Sequence, residues 1–442
     1  MDTYGTGSLL SLDAVGKQDT YLTSNISCDS AFNYKNIRHS NFSVVNRVYT
    51  AENPGPNSIN WPFNNEITFT MIPTGMGDLL SNMYFKCDLP VGTYTDQIGR
   101  ALIDTVSFRV DNLVIETLEN DWGIIHDEIF LTTEEKDANK YKVNGGADYG
   151  NGPPLASSLS VYVPLNFFFS RTYASSDKST PDTRFKPYFP LCSILKQKIQ
   201  LTIKFNPITF FTTAATLSLD SFQIINEEIT ISSEERFFLQ NVKQELVTEI
   251  VKRNSVQQFS FSPTTLSTKC FLFPNIPVKA IFWFFRNVVY EDKTSNAYYL
   301  QRYNYSDSLT TDTVANNQQF YPLLSDAKLY LNSNPMLGII QNEAQTSIHS
   351  SKYFKHVQTM QHDLSSPIRN IYTFAFALKP KQATPSGVLD FSALDSSKSF
   401  FDISLFRTAT SSSSQFNVYA FFLGYQMLMF ENGSVSLKYA TF

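Results

Sequence analysis

Five histidines are the first candidates for chemistry: His39, His126, His349, His356 and His362. Two have acidic neighbours, His126 beside Asp127-Glu128 and His362 beside Asp363. A nucleophile–base pair or a metal site needs its groups on one face, whereas residues adjacent on a strand point to opposite faces. Neither pair has a metal-ligand or triad spacing, so these histidines are expected at polar rims or in loops. Glu134-Glu135 and Glu234-Glu235 read as solvated loop charges or helix-start charges. The glycine-rich "VNGGADYGNG" (143–152) lacks the strand-to-helix setting of a phosphate loop and reads as a turn-rich loop. Cys28, Cys87, Cys192 and Cys270 stand apart with no CxxC spacing, which argues against a zinc or disulfide framework and fits a reducing compartment. The expectation is no enzyme, no metal and no cofactor.

Composition points to a protein that meets other proteins. The 442 residues suit two domains of roughly 200 residues each. A formal net charge of −5 supplies no basic field, so direct nucleic-acid binding is not expected. Charged residues are 17 %, below the roughly 25 % of an ordinary domain. Thirty-eight Phe and 23 Tyr accompany many hydroxyl and amide side chains. Such a surface loses little when it is desolvated against a partner. The most apolar runs, "AIFWFF" (280–285) and "VYAFFLGYQMLMF" (418–430), fall short of the ~20 residues a membrane-spanning helix needs. No basic segment followed by an apolar one opens the sequence, so secretion by an N-terminal signal is not expected.

Alternation of period two dominates. "NEITFTMI" (65–72), "DTVSFRVDNLVIE" (104–116), "QKIQLTIKF" (197–205) and "ATLSLDSFQIINEEITI" (215–231) set apolar residues against polar ones. Helical spacing is confined to "IETLENDWGIIHDEIFL" (115–131) and "SEERFFLQNVKQEL" (233–246), the latter with Ser233 as candidate cap. The second helix separates two strand-rich blocks of about eight strands each, as in antiparallel sandwiches with jelly-roll connections. Three polar stretches, 132–158, 171–189 and 291–322, read as long loops. Before the first strand, "LLSLDAVGKQDTYLTSN" (9–25) is ordered in character yet fits neither period.

That arm, with "RHSNFSV" (38–44), resembles the entry of the double jelly-roll major capsid proteins of nucleocytoplasmic large DNA viruses, polinton-like viruses and virophages. Further resemblances follow in order. They are "IGRALIDTVSFRVDNLVIE" (98–116) leading to Trp122, "VPLNFFFSR" (163–171), "DAKLYLN" (326–332), "FALKPKQATPSGVLDFSALDS" (376–396) and "VYAFFLGYQMLMFENGSVSLKY" (418–439). The ending "ENGSVSLKYATF" departs from the family's usual Gly-rich close, and the long loops have no clear counterpart.

The resemblance implies an all-β fold of two consecutive eight-stranded antiparallel jelly-roll barrels with few short helices and long surface loops. Expected bounds are an arm over 1–27, a first jelly roll over 28–232, a helical linker over 233–245 and a second jelly roll over 246–442. It also implies a major capsid protein of an icosahedral double-stranded DNA virus, localised to the virion shell and assembled inside the host cell. Its partners would be itself as a homotrimeric pseudo-hexagonal capsomer, neighbouring capsomers, minor capsid, cement and penton proteins, and host surfaces through the long loops. In the family the arm ties the capsomer to its surroundings. Leu9, Leu10, Leu12 and Leu22 would then bury against the base, with Tyr21 in the same arm and Asp19 pairing with backbone. Sequons occur at Asn25, Asn41, Asn304 and Asn432, and Asn304 is the candidate glycan attachment site. Two alternatives stand beside this reading, a minor or vertex capsid component and a glycan-binding β-sandwich adhesin, since a fold does not fix a function. An adhesin would be favoured by an exposed tryptophan platform, but Trp61, Trp122 and Trp283 sit in contexts expected to be buried.

Overall fold

The computed structural model describes residues 10, 14, 16–17, 38–51, 58–61, 66–146, 159–171, 187–261, 267–303, 305, 324–336, 352–405 and 414–439. The chain divides into two units, Met1–Asn41 and Phe42–Phe442, and every strand belongs to the second.

Among the described residues ten strands precede the linking helix: β1 (Ser43–Tyr49), β2 (Ser58–Trp61), β3 (Glu66–Met71), β4 (Leu79–Leu89), β5 (Ile103–Val110), β6 (Leu113–Glu119), β7 (Leu159–Pro164), β8 (Phe189–Pro190), β9 (Ile199–Phe205) and β10 (Leu217–Thr230). They form one sheet in the order β1-β10-β4-β7 and another in the order β3-β9-β5-β6; β2 extends the first along β10, and β8 extends it along β4. All pairs are antiparallel. Setting aside the two short extensions, eight strands are divided between the two sheets in the interleaved order that defines a jelly roll. Alternation explains the layering. Ile67, Phe69 and Met71 of β3, and Ile199, Leu201, Ile203 and Phe205 of β9, turn inward and are buried. Their polar neighbours face out.

The same order recurs after the helix Ser233–Asn241. Its strands are β11 (Gln244–Arg253), β12 (Gln257–Phe261), β13 (Ser267–Phe271), β14 (Pro277–Asn287), β15 (Leu324–Leu331), β16 (Asn334–Pro335), β17 (Tyr372–Ala375), β18 (Leu389–Asp390), β19 (Phe400–Leu405), β20 (Ser414–Glu431) and β21 (Ser434–Leu437). The sheets run β11-β20-β14-β17 and β13-β19-β15-β16, with β12 and β21 along β20 and β18 along β14.

The apolar runs now have a physical reason. On β14, Ile281, Trp283 and Phe285 enter the core of the second barrel, while Ala280, Phe282 and Phe284 enter the core shared with the first. On β20, Val418, Ala420 and Phe422 take the first direction, and Tyr419, Phe421 and Leu423 the second. A strand buried on both faces reads as a continuous apolar segment.

Four readings need correction. Residues Thr133–Asn144 form a helix inside the expected loop 132–158, closed by Thr132 and Glu135 in a reciprocal capping box and by Gly145 at φ 58°. The stretch 115–131 is helical only over Asn120–Ile129, its start belonging to β6. The linking helix stops at Asn241 and is capped by Ser232, one residue before the expected Ser233. The start of the expected loop 291–322 is built into the protein. Arg302 is buried and donates to the carbonyls of Phe210, Tyr290, Thr209 and Ser295, at 3.1, 2.6, 3.2 and 2.6 Å. Trp61, Trp122 and Trp283 are all buried, as expected.

Gly424 lies on β20 beside β14, where an added Cβ would meet the Pro277 carbonyl and the Ile276 side chain. Gly424→Ala is expected to destabilise the fold by about 1–3 kcal/mol, as overpacking does. A lowered urea midpoint at unchanged slope is the readout, and an unchanged midpoint would contradict this packing.

Candidate assembly site

Of the reactive-looking residues, His349 and Cys28 lie outside the described residues, His39 is exposed, and those buried are structural. His126 is buried on the helix Asn120–Ile129 and stacks on Phe130 with ring centroids 5.4 Å apart, so the expected rim position is wrong. Its two neighbours serve arginines: Asp127 accepts from Arg100 at 3.0 and 2.9 Å while lying 3.7 Å from the His126 ring, and Glu128 accepts from Arg369 at 2.6 Å. Burial lowers the pKa of His126 and keeps the ring neutral. Glu135 is a capping residue and not a free loop charge. Cys87, Cys192 and Cys270 are buried free thiols, and burial pushes Cys192 up to about 11, away from the reactive thiolate. Among the described residues no cluster of His, Cys, Asp and Glu is placed to hold a metal.

What the fold does build is a seam between its two barrels. The helix Asn120–Ile129 follows β6 of the first barrel and packs on the outer face of the β11-β20-β14-β17 sheet of the second. Trp122 meets Phe282 at 5.8 Å and Phe421 at 6.3 Å between ring centroids, and Phe130 meets Phe282 at 5.6 Å. Charged groups are buried around these rings. Asp121 accepts twice from Arg286, once at 3.1 Å, and accepts from the Tyr305 hydroxyl at 3.0 Å. Arg369 bridges Glu128 and Asp96 and donates to the Tyr303 carbonyl at 3.2 Å. Glu116 of β6 accepts from Arg171 and from the Phe168 and Val251 amides, at 3.0 and 3.2 Å for the amides. Glu249 of β11 lies 3.5 Å from Arg171 and pairs with Lys279. The side chains of Arg369, Glu128, Arg171, Glu116 and Lys279 are all at most 2 % exposed. Buried charges persist only when paired and hydrogen-bonded, and these are.

At the rim of the seam, Glu119 of β6 accepts from Arg253 of β11 at 2.7 Å. Burial raises the Glu119 carboxyl to about 7, with Asp121 and Asp104 adding to the rise against Arg253 and Lys293.

Apolar groups remain outside. Strand β1 is an edge with Val44, Val45 and Val48 exposed, preceded by exposed Phe42. The linking helix buries no residue and shows Phe237 and Phe238 to solvent. Val357 and Met360 are exposed on the helical segment 352–361. Of the arm residues singled out in the sequence, Leu10 is exposed, while Leu9, Leu12, Asp19, Tyr21, Leu22 and the sequon Asn304 lie outside the described residues. Sequence reasoning missed the seam residues Arg286, Arg369 and Glu116, whose alternation looks like that of any strand or loop.

Two barrels of one strand order, locked side by side and showing apolar edges, define a building block. Comparison with known proteins agrees. The family model described as "Major capsid protein N-terminus" matches residues 30–266, and "Large eukaryotic DNA virus major capsid protein" matches residues 234–436. The major capsid protein of Pyramimonas orientalis virus is 24 % identical over 424 residues, covering 88 % of this chain and 90 % of that protein. The major capsid protein of Paramecium bursaria Chlorella virus 1 is 24 % identical over 406 residues, covering 88 % and 85 %. Among solved structures, the PBCV-1 virus capsid superposes with a TM-score of 0.70 at 19 % identity, covering 93 % of this chain and 100 % of that one. The Faustovirus major capsid protein gives 0.66 at 11 % identity, covering 96 % of each. The chain belongs to the major capsid proteins of large eukaryotic DNA viruses. It is a structural component of the virion shell and not an enzyme.

Two tests follow from the seam. Arg369→Ala leaves Glu128 and Asp96 buried without their cation and is expected to cost about 3–5 kcal/mol in urea unfolding; a loss well below 1 kcal/mol would contradict the seam. Glu119 binds a proton more readily in the folded than in the unfolded chain. Its contribution to stability is therefore fully present below the unfolded value, 4.5, and is lost as pH rises through about 7. Subtracting the stability profile of Glu119→Gln from that of the parent should leave a fall across pH 5–8, and a flat difference would contradict the raised value.

Proposed function

We propose that the protein forms homotrimeric pseudo-hexagonal capsomers that tile an icosahedral shell. The observation that carries this reading is the repetition of one jelly-roll strand order twice in a chain whose barrels share a buried seam. One chain thereby contributes two similar barrels at a fixed angle, and three chains related by a threefold axis supply six. A closed cyclic assembly of this kind presents nearly hexagonal edges while using one gene product. Low charge and exposed apolar residues on β1 and the linking helix suit extensive contact with neighbours.

The division of labour along the chain belongs to the same proposal. Residues 1–27 act as an arm that ties the capsomer to its surroundings, with Leu9, Leu10, Leu12, Asp19, Tyr21 and Leu22 as its contacts. Residues 28–232 and 246–442 are the two jelly rolls, and 233–245 joins them. Minor capsid, cement and penton proteins are the partners beyond self-association. The long loops meet the host surface, and Asn304 carries any glycan.

Native mass spectrometry or light scattering across a dilution series tests the central claim. The expected mass is three times the 50.2 kDa of one chain, persisting on dilution. A dilution-resistant single chain would overturn the trimer, and a mass of five chains would make this a vertex protein.

A further inference from the structure

Within the chain, the insertion between β6 and β7 of the first barrel covers the outer face of the second barrel's β11-β20-β14-β17 sheet. That face is apolar, presenting Ala280, Phe282, Phe284, Tyr419, Phe421 and Leu423. The first barrel has a face of identical topology on β1-β10-β4-β7. Cross-strand register places Gln223 opposite Lys86, Ile225 opposite Tyr84 and Val48 opposite Ile225 on that outer side. Here the residues are half-buried or exposed, and Val44 and Val48 are 49 % and 53 % exposed.

Beside this face lies a cleft of about 140 Å³, bounded by Asn82 and Tyr84 of β4 and by Glu135, Ala138 and Lys142 of the helix Thr133–Asn144. His126 and Asn166 line it, and both ring nitrogens of His126 and the Nδ2 of Asn166 have no hydrogen-bond partner although the residues are at most 5 % exposed.

The second barrel carries its own insertion between β16 and β17. The helical segment 352–361 in it docks inward through Phe354, whose ring meets Trp283 at 5.0 Å. Its opposite side is uncovered: Lys352, His356, Val357, Met360 and Gln361 are exposed, Val357 at 50 % and Met360 at 75 %.

We propose that this uncovered side of segment 352–361 in one copy seats on the β1-β10-β4 face and adjoining cleft of a second copy, repeating between chains the contact that the helix Asn120–Ile129 makes within each. The inference rests on the trimer reading and names its interface. Each chain then presents a free sheet face on its first barrel and a free insertion on its second. Such a contact is head-to-tail, and head-to-tail contacts close into rings when the rotation allows. Charge fits as well. Lys352 would approach a face that carries Glu227 and Asp88, with Lys86 among them. Val357 and Met360 supply apolar area for Val44, Val48 and Ile225, and the polar groups of the segment supply partners for His126 and Asn166.

Paired cysteines in the full chain test the contact: Met360→Cys with Ile225→Cys, and Val357→Cys with Val48→Cys. Mild oxidation is expected to give reducible species of two and three chains for at least one pair and none for any single variant. If the parent has the native mass of three chains and neither pair cross-links, this interface is overturned while the trimer stands. A parent of one chain at all concentrations overturns the trimer and the interface together. Should a pair fail to fold, the exposed double variant Val357→Glu with Met360→Glu gives a second readout. It is expected to raise the concentration at which trimers dissociate by about tenfold or more, and an unchanged value overturns the proposal.

Discussion

The structure depends on charges that are buried where two barrels meet. Arg286 and Arg369 leave the second barrel and close on Asp121, Glu128 and Asp96 of the first, out of reach of water. Taking such ions out of solvent is costly, and replacing them all by well-packed apolar groups of equal shape would often be neutral or better. Their consequence is geometric: a guanidinium fork with two carboxylate acceptors accepts one orientation, whereas aromatic rings slide. Trp122, Phe130, Phe282 and Phe421 supply the buried area, and the ion pairs fix the angle at which it is buried. For a block that must match its neighbours across a shell, that angle matters more than the last increment of stability.

Much of this was legible in the residues, and the exceptions have causes. Strands such as Glu66–Met71 and Ile199–Phe205 cover one core each, so alternation reveals them. Strands β14 and β20 separate two cores, and their patterns collapse into apolar runs from which the second core cannot be read. The helix Thr133–Asn144 was announced by Thr132-x-x-Glu135 and Gly145-Gly146, but its polar composition suggested a loop. His126 looked like a rim residue because strand geometry was assumed for it; on a helix facing the seam it is core. Arg302 and Arg369 could not be assigned, since their partners lie far along the chain or are backbone carbonyls. Of the arm, the contacts are not a matter of pattern at all, for its apolar residues follow neither period.

The two barrels show how one topology can carry faces of different composition. In the second barrel the outer side of the β11-β20-β14-β17 sheet is made of Phe, Tyr and Leu, and it never meets water once the chain has folded. Its counterpart in the first barrel mixes Gln223, Lys86 and Tyr84 with Val44 and Val48. A face that must remain soluble on an unassembled chain cannot be as apolar as one covered at once, because large exposed apolar patches promote uncontrolled association. The difference in composition between equivalent faces follows from this: the second-barrel face is covered within the chain, whereas the first-barrel face is left half-buried or exposed.

Edges obey the same logic. A jelly roll limits open strand edges, yet among the described residues β1 has no strand on its outer side and shows valines on both of its faces. An unpaired edge of this kind is a hazard for a protein that accumulates to high concentration, unless its shape commits it to one neighbour. Here the strand is short, carries the half-exposed Arg47 held to Glu228 at 3.3 Å, and sits beside the cleft lined by Asn82, Tyr84 and Lys142. Polar groups thus surround the exposed valines of this edge, as charged groups surround the aromatic rings of the seam.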